Sequence, residues 1–304
     1  MLGSLSRSAV AALALTAGVA LAGCSSDDTT SGKVTVVAST NVWGSVAAAI
    51  AGADAEVSSI VRDPGADPHS YDASPADAAK VKDAGLVVFN GGGYDEFVEK
   101  ALPADKPHVD AVELRTGKDD DGHGHSHGGA DDENEHVWYD IPTVDKVARA
   151  IADELSKLDP DHAAGYKERA EAFDKKLHAI SDITEQIAKD HPKAPVAQTE
   201  PIAHYLLLAA GTEDLTPPEF QEAIEEEHDP SPAAVAATRA LFTDKKVRAL
   251  VYNTQTEDKV TQEMRTAAEA AGIRIVQVTE TLPDGLDYIQ WQTRNAEALS
   301  AALK

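Results

Sequence analysis

A single cysteine, Cys24, stands in 304 residues. It leaves no thiol pair for a disulfide and no thiolate cage for a metal, so any metal ligands here are nitrogen or oxygen. Basic residues are also few, with 27 Lys and Arg against 52 Asp and Glu, a formal net charge of −25. Phosphate recognition needs clustered Lys and Arg, so this balance excludes nucleic acid as a partner. Acidity of this degree serves solubility, and its field is compatible with drawing in cations. The apolar run at residues 9–20 is shorter than the ~20 residues of a membrane-spanning helix. No His-Glu-x-x-His pair is present, nor a nucleophile elbow between a strand and a helix.

What is present begins with a targeting segment. Arg7 supplies a basic start, residues 9–20 an apolar stretch, and Leu21-Ala22-Gly23-Cys24 follows. This resembles a bacterial lipoprotein signal, in which cleavage before the cysteine leaves it lipid-modified. Residues 1–23 are thus expected to be signal peptide, with Cys24 the lipidation site. Residues 24–32 form a polar tether of Ser, Asp and Thr. The mature protein is expected on the extracytoplasmic face of the cell membrane, held by acyl chains.

Residues 33–304 are long enough for two ordinary domains, and 42% hydrophobic content supports real cores. Residues 33–38, 57–61 and 86–89 read as strands, and 109–114 as a further strand. Helical segments lie between them, including one opened by Ser74-Pro75-Ala76-Asp77, a good N-cap signal. Strand–helix alternation predicts a mainly parallel sheet covered on both faces. Residues 142–158 are helical. Next comes a long periodic run, in which Tyr166, Ala170, Phe173, Leu177, Ile180, Ile183 and Ile187 recur at three- and four-residue steps. A helix over about 161–190 would be ~43 Å long, a rigid strut joining two lobes; two helices broken near Ser181 are the other reading. Beyond it the alternation resumes, with strands at 195–198, 247–252 and 273–278 and helices at 201–210, 232–242, 257–271 and 287–303. The expected architecture is therefore α/β. An N-terminal lobe (33–159) and a C-terminal lobe (192–304) flank a linking helix (160–191).

In open parallel sheets, ligands bind beyond the carboxyl ends of strands. Four metal-competent residues occupy such places. His69 follows the strand at 57–61, His136 the one at 109–114, Glu200 the one at 195–198, and Glu280 the one at 273–278. Two come from each lobe, and a cleft between lobes would bring them together. Two imidazoles and two carboxylates suit Zn²⁺ and are acceptable for Mn²⁺, and the carboxylates would neutralise the dication. Upstream of His136 lies a loop at 121–135 whose glycine-spaced part carries His123, His125 and His127. It reads either as a weak auxiliary metal trap or as a linker that binds metal adventitiously.

Four motifs then carry a family resemblance. Gly65-Ala66-Asp67-Pro68-His69-Ser70-Tyr71-Asp72 matches the pattern around a first histidine ligand. His136, Trp138 and Asp140 match a second, with Asn134-Glu135 where the family has Asp-Pro. Glu200-Pro201-Ile202-Ala203-His204-Tyr205 matches a third, with His204 a rival one turn on, and Glu280 stands where a final Asp is usual. The chain resembles the metal-binding lipoproteins of zinc and manganese ABC importers, the cluster A-I solute-binding proteins. The resemblance covers about residues 33–304. It implies metal capture between two lobes by a monomer, and delivery to a membrane permease driven by a cytoplasmic ATPase. A histidine-rich loop before the second histidine ligand points to the zinc type. Competing readings are a manganese or iron binder on the same scaffold, a zinc metallohydrolase, and a lipid-anchored adhesion protein with incidental histidines. Rigid ligands with an open water position are what a hydrolase needs, and glycine spacing argues against them.

Overall fold

In the computed structural model, residues 32–66, 68–115 and 134–304 are described. Cys24, the signal segment and His123, His125 and His127 lie outside these residues. Within the first half the order is β1 (Val34–Thr40), α1 (Asn41–Ala51), β2 (Ala55–Val61), α2 (Pro75–Asp83), β3 (Leu86–Phe89), α3 (Glu96–Ala101) and β4 (His108–Asp110). All three pairings are parallel, in the order β2-β1-β3-β4. β3, Leu-Val-Val-Phe, is buried along its whole length. An uninterrupted apolar strand is what a parallel sheet covered on both faces requires. Ser74 and Asp77 form a reciprocal capping box at the start of α2.

In the chain, two helices separate the strands of the two sheets, α4 (Ile141–Leu158) and α5 (Ala163–Asp190). α5 is one unbroken helix of 28 residues, about 42 Å long. There is no break at Ser181, whose carbonyl accepts a bond from Thr184 Oγ1 within the helix. Its buried stripe is Tyr166, Ala170, Phe173, Leu177, Ile180, Thr184 and Ile187. These steps alternate four and three, which keeps one face turned to the core along the full length.

The second half holds β5 (Pro195–Gln198), α6 (His204–Ala209), β6 (Glu213–Asp214), α7 (Pro218–Glu225), α8 (Pro232–Thr243), β7 (Ala249–Asn253), α9 (Lys259–Ala271), β8 (Arg274–Val278) and α10 (Tyr288–Ala302). Its sheet is again all parallel, in the order β6-β5-β7-β8. The first strand of each lobe thus sits inside its sheet, flanked by the second and third. Topology repeats where the sequence shows no repeat. One continuous core cluster reaches from Val36 and Val88 of the first sheet to Val196, Val251 and Val276 of the second, by way of α5 and α10. A shared core of this kind resists hinge bending between lobes.

Three expectations need correction. The expected strand at 109–114 ends at Asp110 and gives way to a 3-10 turn at Val112–Leu114. The helix at 201–210 is a 3-10 turn, Pro201–Ala203, followed by α6. β6 and α7 were not anticipated. α7 begins at Pro217-Pro218 and buries Phe220 and Ile224, one turn apart.

Candidate metal centre

All four expected ligands lie on connections that follow strands. His69 sits in a turn after β2, closed by Tyr71 N–H donating to Pro68 O at 3.3 Å. His136 immediately precedes a 3-10 turn, Val137–Tyr139. Glu200 lies two residues after β5, and Glu280 two residues after β8. Ligand-competent atoms of His69, His136 and Glu280 all come within 4.8 Å of one another. His69 Nε2 is 3.6 Å from Glu280 Oε2. Glu200 is outside that trio but is tied to it: Asn253 Nδ2 donates to Glu200 Oε1 and, at 3.0 Å, to Glu280 Oε1. His136, Glu200 and Glu280 are each 1–2% exposed. The His69 side chain is 27% exposed, so the cluster opens to solvent on that side.

His204, the rival to Glu200, heads α6 and is half-buried. It is not among the clustered ligand atoms.

Sequence reasoning missed the residues that hold these side chains. Asn134 Oδ1 accepts from the His136 backbone N–H at 2.9 Å and pairs with His136 Nδ1 at 3.1 Å. An acceptor there places the ring proton on Nδ1 and leaves the Nε2 lone pair for a metal. Asn134 Nδ2 also donates to Pro201 O at 2.9 Å, joining the two lobes. Tyr94 donates its hydroxyl to Glu280 Oε2 at 3.1 Å. Its ring meets that of His69 edge-on at 4.7 Å. Gln255 joins both sides of the cleft. Its Nε2 donates to Ala66 O at 2.9 Å, in the loop that carries His69, and its Oε1 accepts from Glu280 N. The glycine run Gly91-Gly92-Gly93 has positive φ at all three residues and precedes Tyr94. At Gly91 a Cβ would come within 2.2 Å of Asp110 Oδ1.

Two further carboxylates line the same cleft, Glu135 and, at the end of α7, Glu225. Glu225 Oε1 is 3.7 Å from His136 Nε2. Burial, then the charges of Glu135 and Glu200, push its carboxyl up to about 8. The His136 pKa is held well below the ordinary imidazole value, first by burial and then by His69 and His204. A neutral, buried imidazole among crowded carboxylates is an arrangement that a dication relieves.

Two parallel lobes closing on a histidine–carboxylate cluster define a metal-binding protein. The chain belongs to the family of the periplasmic zinc-uptake complex component A, ZnuA, whose model matches residues 36–302. It is 27% identical to a manganese ABC transporter substrate-binding lipoprotein of Streptococcus gordonii, over 96% of this chain and 97% of that one. It is 25% identical to a zinc-binding lipoprotein of Streptococcus pneumoniae, over 92% of this chain and 58% of that longer one. Among solved structures, the periplasmic zinc-binding protein TroA from Treponema pallidum superposes with a TM-score of 0.74 at 21% identity, over 90% of this chain and 99% of that one. At that identity the likeness speaks for the fold. Class and family together make the chain a substrate-binding component of a metal ABC importer, not an enzyme. The metallohydrolase reading therefore falls.

Proposed function

We propose that this protein captures Zn²⁺ outside the cytoplasmic membrane and delivers it to an ABC permease powered by a cytoplasmic ATPase. The observation that carries this reading is the convergence of His69, His136 and Glu280 within 4.8 Å, from loops of both lobes, with Glu200 coupled through Asn253. In this proposal the ligands are His69, His136, Glu200 and Glu280, and the lobes are residues 33–159 and 192–304 on either side of the strut at 160–191. Two carboxylates neutralise the ion in a buried site. Both histidines bind as neutral imidazoles, and the lowered pKa of His136 keeps that ring ready at neutral pH. Cys24 anchors the protein by acyl chains. His123, His125 and His127 act as weak auxiliary ligands that raise the local zinc concentration, and the protein works as a monomer.

Mn²⁺ is a second reading. It is favoured by the number of carboxylates in the cleft, since harder ions prefer oxygen ligands, although Zn²⁺ binds more tightly at a given site. Competitive titration of the metal-free full-length chain with Zn²⁺ and Mn²⁺, alongside His136→Ala, tests both. One tight zinc site that vanishes in His136→Ala is expected. Tight manganese binding that zinc displaces only in large excess would favour the second reading. Binding untouched by His136→Ala would remove the cleft from both.

A further inference from the structure

Of the four carboxylates named around the cleft imidazoles, all among the described residues, Glu200 and Glu280 belong to the proposed ligand set and Glu135 and Glu225 do not. Glu135 lies by the other nitrogen of His69, and Glu225 joins the two of them in a group of possible ligands. Nδ1 of that ring is 3.9 Å from Glu135 Oε1, and Nε2 is 3.6 Å from Glu280 Oε2. Ligand-competent atoms of His69, Glu135 and Glu225 all fall within 4.8 Å of one another, a second group that shares only His69 with the first. The groups differ in depth. Side chains of Glu135 and Glu225 are 22% and 20% exposed, against 2% for Glu280 and 1% for His136.

A neutral imidazole carries one lone pair. His69 can therefore ligate through Nδ1 or through Nε2, but not through both. An ion held outside by Nδ1 leaves the Nε2 proton facing Glu280. An ion held inside by Nε2 leaves the Nδ1 proton facing Glu135. Each carboxylate is a ligand in one state and the hydrogen-bond acceptor of the ring in the other. Glu225 also lies 3.7 Å from His136 Nε2, so it can keep hold of the ion while His69 changes nitrogen.

We propose that His69, Glu135 and Glu225 form an outer staging site for the same divalent cation, from which it passes inward by ligand exchange at His69. The inference rests on the capture function proposed above. Outer carboxylates replace water on the incoming ion. The ion then exchanges Glu135 and Nδ1 for Glu280, Nε2 and His136, while one proton leaves Nε2 for solvent and one is taken up at Nδ1. Charge is conserved, and a single ion occupies the cleft at any time.

Zinc association and dissociation are measured by stopped flow on the full-length chain against a fluorescent chelator. The variants are Glu135→Gln/Glu225→Gln and, as a control with the same charge change, Glu227→Gln/Glu257→Gln. If the outer site lies on the path, the first pair slows association by about tenfold or more and slows dissociation by the same factor, with Kd nearly unchanged. The control pair should change either rate far less. In a His136→Ala background that also lacks residues 122–129, a weaker zinc site should remain, and Glu225→Gln should abolish it. Equal effects of the two pairs would overturn the proposal by reducing it to general steering. A large rise in Kd with faster release would also overturn it, since Glu135 and Glu225 would then be ligands of the resting site. A wild-type chain with no tight zinc, or one whose tight zinc survives His136→Ala, is the separate signature of a wrong capture site and removes both readings.

Discussion

Asn134 is the residue through which the histidine site is most open to test. It is 8% exposed and its side chain makes three bonds: two to His136, at 2.9 and 3.1 Å, and one across the cleft to Pro201 O at 2.9 Å. Asn134→Ala removes all three. Each net bond contributes about 1 kcal/mol, so the metal-free protein should lose about 2–3 kcal/mol. Loss of a group that orients a ligating histidine typically weakens metal binding 10–100-fold, about 1.4–2.7 kcal/mol. Asn134→Asp is the informative control. It keeps an acceptor for His136, loses the donor to Pro201 and adds a negative charge beside both. Urea unfolding of the metal-free chains should show both variants destabilised. Competitive zinc titration should separate them, with Asn134→Asp much closer to wild type than Asn134→Ala. If both weaken zinc equally, the Pro201 bridge rather than the ring proton governs the site. If neither does, His136 is not a ligand.

Other perturbations follow from the same geometry. Gln255→Ala removes one tie between the His69 loop and Glu280, leaving the bond from Thr281 Oγ1 to Pro64 O, so zinc release should quicken by about tenfold, read by transfer to a chelator; an unchanged rate would show that Gln255 has no grip on the site. Gly91→Ala places a Cβ against Asp110 at a φ of +76°, which costs at least ~1 kcal/mol and should lower Tm by several degrees; an unchanged Tm would contradict the packing. Asp77 is held at about 2 by bonds from Ser74 and Lys80, below its ordinary 3.8. Its ionised form therefore adds stability above pH ~4 that disappears as the pH falls through about 2. The gap between wild type and Asp77→Ala, ~1 kcal/mol for a lost cap, should be level at neutral pH and close between pH 4 and 2. Deleting residues 122–129 should slow zinc uptake by cells when zinc is scarce and leave tight binding intact; unchanged uptake would remove the capture role of that segment.

The fold was legible because its periodicities are strong. The stripe from Tyr166 to Ile187 predicted the strut, and apolar runs such as Leu-Val-Val-Phe predicted strands buried on both faces. His69, His136, Glu200 and Glu280 could be named as candidates because each follows a strand. What escaped depended on register and on contacts between distant residues. Glu225 stands in a run of three glutamates, Glu225-Glu226-Glu227, where no local feature marks one as facing the cleft. Only the phase of α7, fixed by Phe220 and Ile224, turns it inward. Pro217-Pro218 followed by that pair was a usable signal for the helix. Asn134 read as a departure from Asp in a motif, although its amide does what a carboxylate could not, accepting from His136 while donating to Pro201. Asn253 ends β7 and Gln255 follows it, and neither carries a signature of its own. Their roles exist only once β8 lies alongside. The strand at 109–114 was overextended because an apolar run cannot reveal where its neighbour, β3, ends.

Zinc K-edge X-ray absorption on the full-length chain loaded with one equivalent of zinc tests the central claim most directly. The account predicts two imidazoles at about 2.0–2.1 Å with oxygen completing the shell and no sulfur, and loss of one imidazole in His69→Ala. Three or more imidazoles, unchanged in His69→Ala, would place the tight ion elsewhere and contradict the cleft site.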